Sequence, residues 1–220
     1  MGARICSLSR DDPRFELVTE IDQKSNTPTV GADTPIDAVI DFSSDEGACC
    51  AVALALEHRA ALLVGTTGLS RQTLATIEVA AKTIPTLVAP NTSAGVAVMI
   101  HLVTEAARLL GPGYDVDLTE VHHRAKRDAP SGTALRIAET MLRQTGIELP
   151  ADRIQSVRTG DVIGEHIFEF TSGRERIRIG HFATSRDLFA HGALNAAAWL
   201  HGREPGPYTI EQSLGLDQAS

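Results

Sequence analysis

Between Glu120 and Leu135 the chain runs EVHHRAKRDAPSGTAL. Two adjacent histidines, a lysine shortly after them and a Pro-Ser-Gly-Thr step before an apolar run place proton-transfer groups next to the start of a helix expected over Ala134 to Gln144. His122 or His123 can exchange a proton near neutral pH, and Lys126 can act as a second donor once burial or neighbouring charge lowers its pKa. A helix start offers unpaired backbone N–H groups and a positive dipole end to an anion. Gly132 lets a ligand approach that backbone, and Ser131 and Thr133 add hydroxyl donors. Taken alone, the step reads first as a plain N-cap. With His122, His123, Arg124, Lys126 and Arg127 clustered beside it, it becomes a site for a dicarboxylate or phosphate, although Arg124 and Arg127 also suit a solvated face. A metal is the weaker reading: neighbouring histidines on a strand point to opposite faces, and no Cys or carboxylate stands at ligand spacing.

These residues need elements to hold them. Short β-rich runs alternate with helical patterns through the first half, the signature of βαβ units and a parallel sheet. Strands are expected at Leu17 to Ile21, Ala38 to Phe42, Ala61 to Val64 and Thr86 to Ala89. Ser43-Ser44 and Ser70 read as helix N-caps, with helices to about His58 and Lys82. A helix over Ala94 to Leu110 is stopped by Gly111-Pro112-Gly113, and a strand from Asp115 to Val121 delivers the histidines. Ile154 to Arg158, Glu165 to Thr171 and Arg176 to Ala183 then read as strands in a more antiparallel half, with a hairpin turn at Ser172-Gly173. A helix from Asp187 to Leu200 precedes a Pro/Gly-rich tail.

Composition sets outer limits. The 220 residues are 43% hydrophobic with a net charge of −8, so an anionic ligand must be caught by local charge, and nucleic acid or an anionic membrane is repelled. The start MGARICSLSR lacks an apolar signal core, its sixth position is Cys6 rather than the Ser or Thr of a myristoylation motif, and uncharged apolar runs fall short of the ~20 residues of a membrane span. Of three cysteines, Cys49 and Cys50 are neighbours in an apolar run and read as reduced core residues of a cytosolic protein.

Glu120 to Ala134 matches E-x-H-H-x-x-K-x-D-x-P-S-G-T-A, and the chain resembles the dihydrodipicolinate reductases, the nicotinamide-dependent enzymes of diaminopimelate and lysine biosynthesis. GTTG at Gly65 to Gly68, APN-x-S-x-G at Ala89 to Gly95, VRTGDVIGEH at Val157 to His166 and TSRDLFAHGAL at Thr184 to Leu194 extend the resemblance over nearly the whole chain. It implies an α/β fold: a Rossmann-like dinucleotide-binding domain, about 1–92 plus 187–220, with an inserted α+β domain, about 93–186, for substrate binding and tetramerisation. It implies His122 as proton donor and acceptor, Lys126 as second donor, and His123, Ser131, Gly132 and Thr133 around the substrate carboxylates. Gly65, Thr66, Thr67, Ala89, Pro90, Asn91 and Thr92 would line NADH or NADPH. The reaction implied is loss of water from 4-hydroxy-tetrahydrodipicolinate with hydride transfer, giving tetrahydrodipicolinate, in a cytoplasmic homotetramer with no metal.

The resemblance departs at the front, where Met1-Gly2 stands as if inside the family's glycine turn, so the first strand and most of the pyrophosphate cradle are expected to be missing. Asp22, about 20 residues beyond Gly2, fits the acid that meets a ribose hydroxyl, and Lys24 could meet a 2′-phosphate. The segment Gln23 to Pro35 is short for the family's connection there. A weak homologue that keeps the dicarboxylate site but holds dinucleotide poorly is the competing expectation. A related amino-acid or aldehyde dehydrogenase is disfavoured by the histidine-lysine segment.

Overall fold

The computed structural model describes residues 1–22, 30, 31 and 33–216. Lys24 and most of the Gln23 to Pro35 connection lie outside them. The chain divides into two compact units, Met1–Ala94 with Asp187–Ser220, and Gly95–Arg186.

The first unit opens with α1 (Gly2–Asp11), then alternates β1 (Ala38–Asp41), α2 (Asp45–His58), β2 (Ala61–Val64), α3 (Arg71–Ala80) and β3 (Pro85–Val88). Ser44 and Ser70 cap α2 and α3, accepting from Gly47 and Thr73 N–H groups as expected. Four residues suffice for β2 because all of them are buried, the mark of a strand covered on both faces. Val52, Ala55 and Ile77 from the helices close over Leu62 and Val64.

Two expectations fail in this unit. Leu17 to Ile21 is irregular rather than a strand, with Val18 and Ile21 exposed. Among the described residues β1 pairs only with β2, so no neighbouring strand orders that segment. Cys49 and Cys50 are free thiols but exposed, because the buried stripe of α2 runs through Ala48, Val52 and Ala55 and turns both cysteines outward. The Pro/Gly-rich tail is also more ordered than its composition suggests. After α6 (Asp187–Leu200), β8 (Gly206–Tyr208) joins β3 in parallel, giving a four-stranded sheet in the order β1-β2-β3-β8, and α7 (Ile210–Ser213) follows behind a Thr209 capping box.

In the second unit α4 (Ala94–Leu110) leads through a 3₁₀ turn at Gly111–Gly113 into β4 (Asp115–His122), then α5 (Gly132–Thr145), β5 (Ile154–Arg158), β6 (Gly164–Thr171) and β7 (Arg176–Ala183). The sheet order is β5-β4-β6-β7, with β4 and β5 parallel and the other two pairs antiparallel. By length and composition Ala94–Gly113 could cross a membrane. Its stripe of Val96, Met99, Ile100, Val103 and Ala107 instead packs with Leu118, Ile137, Met141, Phe168 and Phe170 in the unit's core.

Alternation along β4 and β6 decides the chemistry. Val116, Leu118, Glu120 and His122 face inward on β4, and His166, Phe168 and Phe170 do so on β6. Register sets Glu120 opposite His166 and, on the other side, His122 beside Arg158. The apolar core thus becomes polar at one end of the sheet.

Candidate active site

At that polar end Glu120 is fully buried and His122 is 7% exposed. The His122 Nδ1–H donates to Glu120 Oε2, while Arg158 Nη2 donates to Glu120 Oε1 at 2.7 Å. Burial pushes the Glu120 carboxyl up, but hydrogen bonds from Arg158 and Ser156 and the charges of His122 and Arg158 outweigh it, so the net shift is downward and the group is a carboxylate. Burial lowers the His122 pKa despite the pull of Glu120, and the Lys126 and Arg158 charges lower it further. With Nδ1 tied to Glu120, Nε2 is the ring atom left to exchange a proton. It faces Gly164, where a Cβ would stand 3.1 Å away, so the missing side chain leaves room beside the nitrogen.

His166 lies edge-on to His122, ring centroids 5.2 Å apart, and its Nε2 meets the Ser131 hydroxyl at 3.2 Å. Desolvation, then the His122 charge, pushes the His166 pKa down to about 4, so this ring is neutral at physiological pH. Ser131 also accepts from the Ala134 N–H as the N-cap of α5. Its hydroxyl thus has two partners inside the protein, one at the helix start and one on β6. Gly132 is exposed, and a Cβ there would meet nothing within 4 Å, so a ligand can reach that backbone.

Between β4 and α5 the chain turns through Lys126 N to His123 O, and Lys126 Nζ pairs with Asp128 at 2.8 Å. The Asp128 pKa is held low first by that lysine, with the Gly132 N–H also contributing. An internal carboxylate thus engages the expected second proton donor and one of the backbone groups expected to hold a ligand's carboxylate. His123 lines a cavity of about 350 Å³ with Arg124, Ala125, Asp161, Ile163 and Arg186.

Glu120, His122 and His166 offer possible ligand atoms within 4.8 Å of one another. Both Glu120 oxygens are engaged, one by a guanidinium that would repel a cation, so the donor set suits proton handling and not a metal.

In the first unit the expected cofactor residues stand in loops at the carboxyl ends of parallel strands, where α/β sheets hold their ligands. The loops are built more firmly than the sequence suggested. Thr66 donates to buried Asp41 at 2.6 Å and accepts from the Ser43 N–H at 2.8 Å; Thr92 donates to the Phe189 carbonyl at 2.6 Å. Gly65 packs under Phe42, whose ring a Cβ would strike at 2.2 Å, and a Cβ on Gly192 of α6 would fall 1.8 Å from the Thr92 carbonyl. Thr66 and Thr92 hydroxyls therefore hold the loops, while Thr67 and Pro90 are exposed and Asn91 half-buried, with Ala89 buried below. Asp22 is exposed but follows no strand.

Two family models match: Dihydrodipicolinate reductase, N-terminus, over residues 1–92, and Dihydrodipicolinate reductase, C-terminus, over residues 95–214. The chain belongs to the dihydrodipicolinate reductase family. A 4-hydroxy-tetrahydrodipicolinate reductase of Anaeromyxobacter dehalogenans is 37% identical over 256 aligned residues, covering 98% of this chain and 94% of that one. One of Myxococcus xanthus is 42% identical over 200, covering 84% and 74%. The solved dihydrodipicolinate reductase of Paenisporosarcina sp. TG-14, with dipicolinate bound, superposes with a TM-score of 0.78 at 20% identity, covering 97% of this chain and 94% of that one, a likeness of fold. Within this family's chain, sequence reasoning gave no role to Glu120, Arg158, His166 or Gly192. The i, i+2 spacing of Glu120 and His122 on a strand was the available signal for the first; the others depend on pairing between distant segments.

Proposed function

We propose that this protein catalyses the NAD(P)H-dependent reduction of 4-hydroxy-tetrahydrodipicolinate to tetrahydrodipicolinate, with loss of water, in diaminopimelate and lysine biosynthesis. Membership of the family and two relatives of that name support the activity. The observation that carries the mechanism is the buried Glu120–His122 pair in the same unit as Lys126 and the open start of α5.

The first unit is the dinucleotide-binding domain in this reading, with Thr67 and the Pro90-Asn91 turn presented from loops that Asp41, Thr66 and Thr92 hold in place. A nicotinamide dinucleotide supplies the hydride when bound. NADH and NADPH are both admitted; Asp22 is the acid assigned to a ribose hydroxyl. The second unit binds the substrate: the Gly132 and Thr133 N–H groups and His123 hold carboxylate oxygens, at little reorganisation cost because backbone donors are already oriented. His122 moves a proton at Nε2 while Glu120 keeps Nδ1 occupied, and Lys126, released from Asp128, supplies the second proton. A cytoplasmic homotetramer completes the reading, and the free thiols suit that compartment.

The test is an assay of the purified protein with freshly generated substrate and each reduced dinucleotide. Turnover is expected, falling by roughly 10²–10⁴-fold in His122→Ala or Lys126→Ala, the usual range for a general acid or base. No substrate-dependent oxidation of either dinucleotide would refute the assignment.

A further inference from the structure

We propose that Arg158 is a positioning residue for both proton-moving side chains, holding His122 through Glu120 and the Lys126 turn through the Asp128 carbonyl. The inference rests on the roles given above to His122 and Lys126.

Arg158 ends β5 opposite His122 of β4, so parallel pairing sets it beside the reacting strand. Its Nη2 donates to Glu120 Oε1 at 2.7 Å and also to the Asp128 carbonyl, while Nη1 donates to the Val157 carbonyl at 2.8 Å. One planar fork therefore ties a fully buried carboxylate to the turn that carries Lys126 and Asp128, and also to its own strand. Lysine, a point charge on a flexible stem, lacks the planar fork that fixes these three bonds in one geometry. The side chain is 17% exposed and Glu120 is 0% exposed, so little water is available to replace the lost bonds.

The consequence for His122 lies in its tautomer. As a carboxylate, Glu120 can only accept, so Nδ1 must carry the hydrogen and Nε2 is left to face the space at Gly164. Without Arg158 the carboxylate loses one of the hydrogen bonds and one of the charges that offset its burial, so the balance moves toward the protonated form. A protonated Glu120 can donate to Nδ1, which reverses the tautomer and closes Nε2 as an acceptor. The charged and titratable groups facing His122 are Glu120, Arg158, Lys126 and His166, so removing Arg158 changes the balance among a defined set.

The experiment compares Arg158→Met, Glu120→Gln and the double variant with wild type in full-length protein, reading the ¹⁵N shifts of the His122 ring, the pH profile of kcat, the KM for the reduced dinucleotide, and thermal stability. Neutral His122 is expected as the Nδ1–H tautomer in wild type and as a mixture in Arg158→Met. kcat should fall by about 10–10²-fold, the cost of misplacing a reacting group, with the dinucleotide KM unchanged. The double variant removes both buried charges. It should recover stability relative to Arg158→Met while kcat stays low; if Arg158→Met does not fold, this variant carries the test. A folded Arg158→Met with wild-type tautomer and kcat overturns the proposal, as does a double variant whose kcat returns with its stability. If His122→Ala turns over like wild type, the parent reading fails, whereas the ring shifts still report on Arg158 alone.

Discussion

The Ser131 hydroxyl stands 3.2 Å from His166 Nε2 while accepting the Ala134 N–H, so one serine joins the inner face of β6 to the start of α5. The anion-facing end of that helix is therefore anchored to a buried, neutral histidine. Burial keeps that ring neutral, so protonating it would place a charge inside this buried contact.

That burial has a pH signature. The His166 pKa is about 4 in the folded protein against an ordinary 6.5, so the unfolded chain binds the extra proton first as pH falls. Stability from this group is fully present above pH 6.5 and is lost progressively as pH drops through 6.5 toward 4. Between pH 7 and pH 5 the loss should be on the order of 2 kcal/mol. Urea unfolding at the two pH values, with His166→Asn for comparison, checks it. An equal loss in the variant would assign the pH dependence to other groups.

At Gly132 an added Cβ would meet nothing within 4 Å, so Gly132→Val should fold while its methyl groups stand where a carboxylate approaches. Calorimetry with pyridine-2,6-dicarboxylate should show affinity weakened by roughly 10- to 100-fold, the value of one or two charge-assisted hydrogen bonds. Unchanged affinity in the folded variant would reduce the step to a helix cap.

Asp128 engages Lys126 and also the Gly132 N–H, a group that a ligand's carboxylate would take. Asp128→Ala should therefore tighten binding of the same dicarboxylate by about two- to fivefold, in keeping with the small worth of an exposed ion pair. Weaker binding would show that Asp128 presents Lys126 instead of competing for it.

In the first unit, Thr66 and Thr67 should behave as opposites. Thr66→Val removes a bond to buried Asp41 and leaves the Ser43 N–H unpaired, costing roughly 2–3 kcal/mol and lowering Tm by several degrees. Thr67→Val, at an exposed position, should leave Tm unchanged and weaken dinucleotide binding. Equal melting of the two variants would remove the structural role from Thr66.

Local signals were enough to place most elements from the sequence. Ser44, Ser70 and Ser131 cap the helices that follow them, Ala61 to Val64 and Asp187 to Leu200 stand where hydrophobic patterning put them, and Gly111-Pro112-Gly113 stops α4. The Glu120 to Ala134 motif likewise brought His122, His123 and Lys126 next to the start of α5, because short spacing is enough to fix that neighbourhood. A strand, by contrast, exists only with a partner. Leu17 to Ile21 has the composition and no neighbour among the described residues, whereas Gly206–Tyr208 has an unpromising composition and lies against β3. The partners of the site's hydroxyls were equally invisible: Ser131 meets His166 and Thr66 meets Asp41, each far away in the chain. The exposure of Cys49 and Cys50 followed from which stripe of α2 met the sheet. Above all, the assembly of Arg158, Glu120, His122 and His166 comes from the register of β5, β4 and β6, in which non-local hydrogen bonds set side chains from three strands on one buried face.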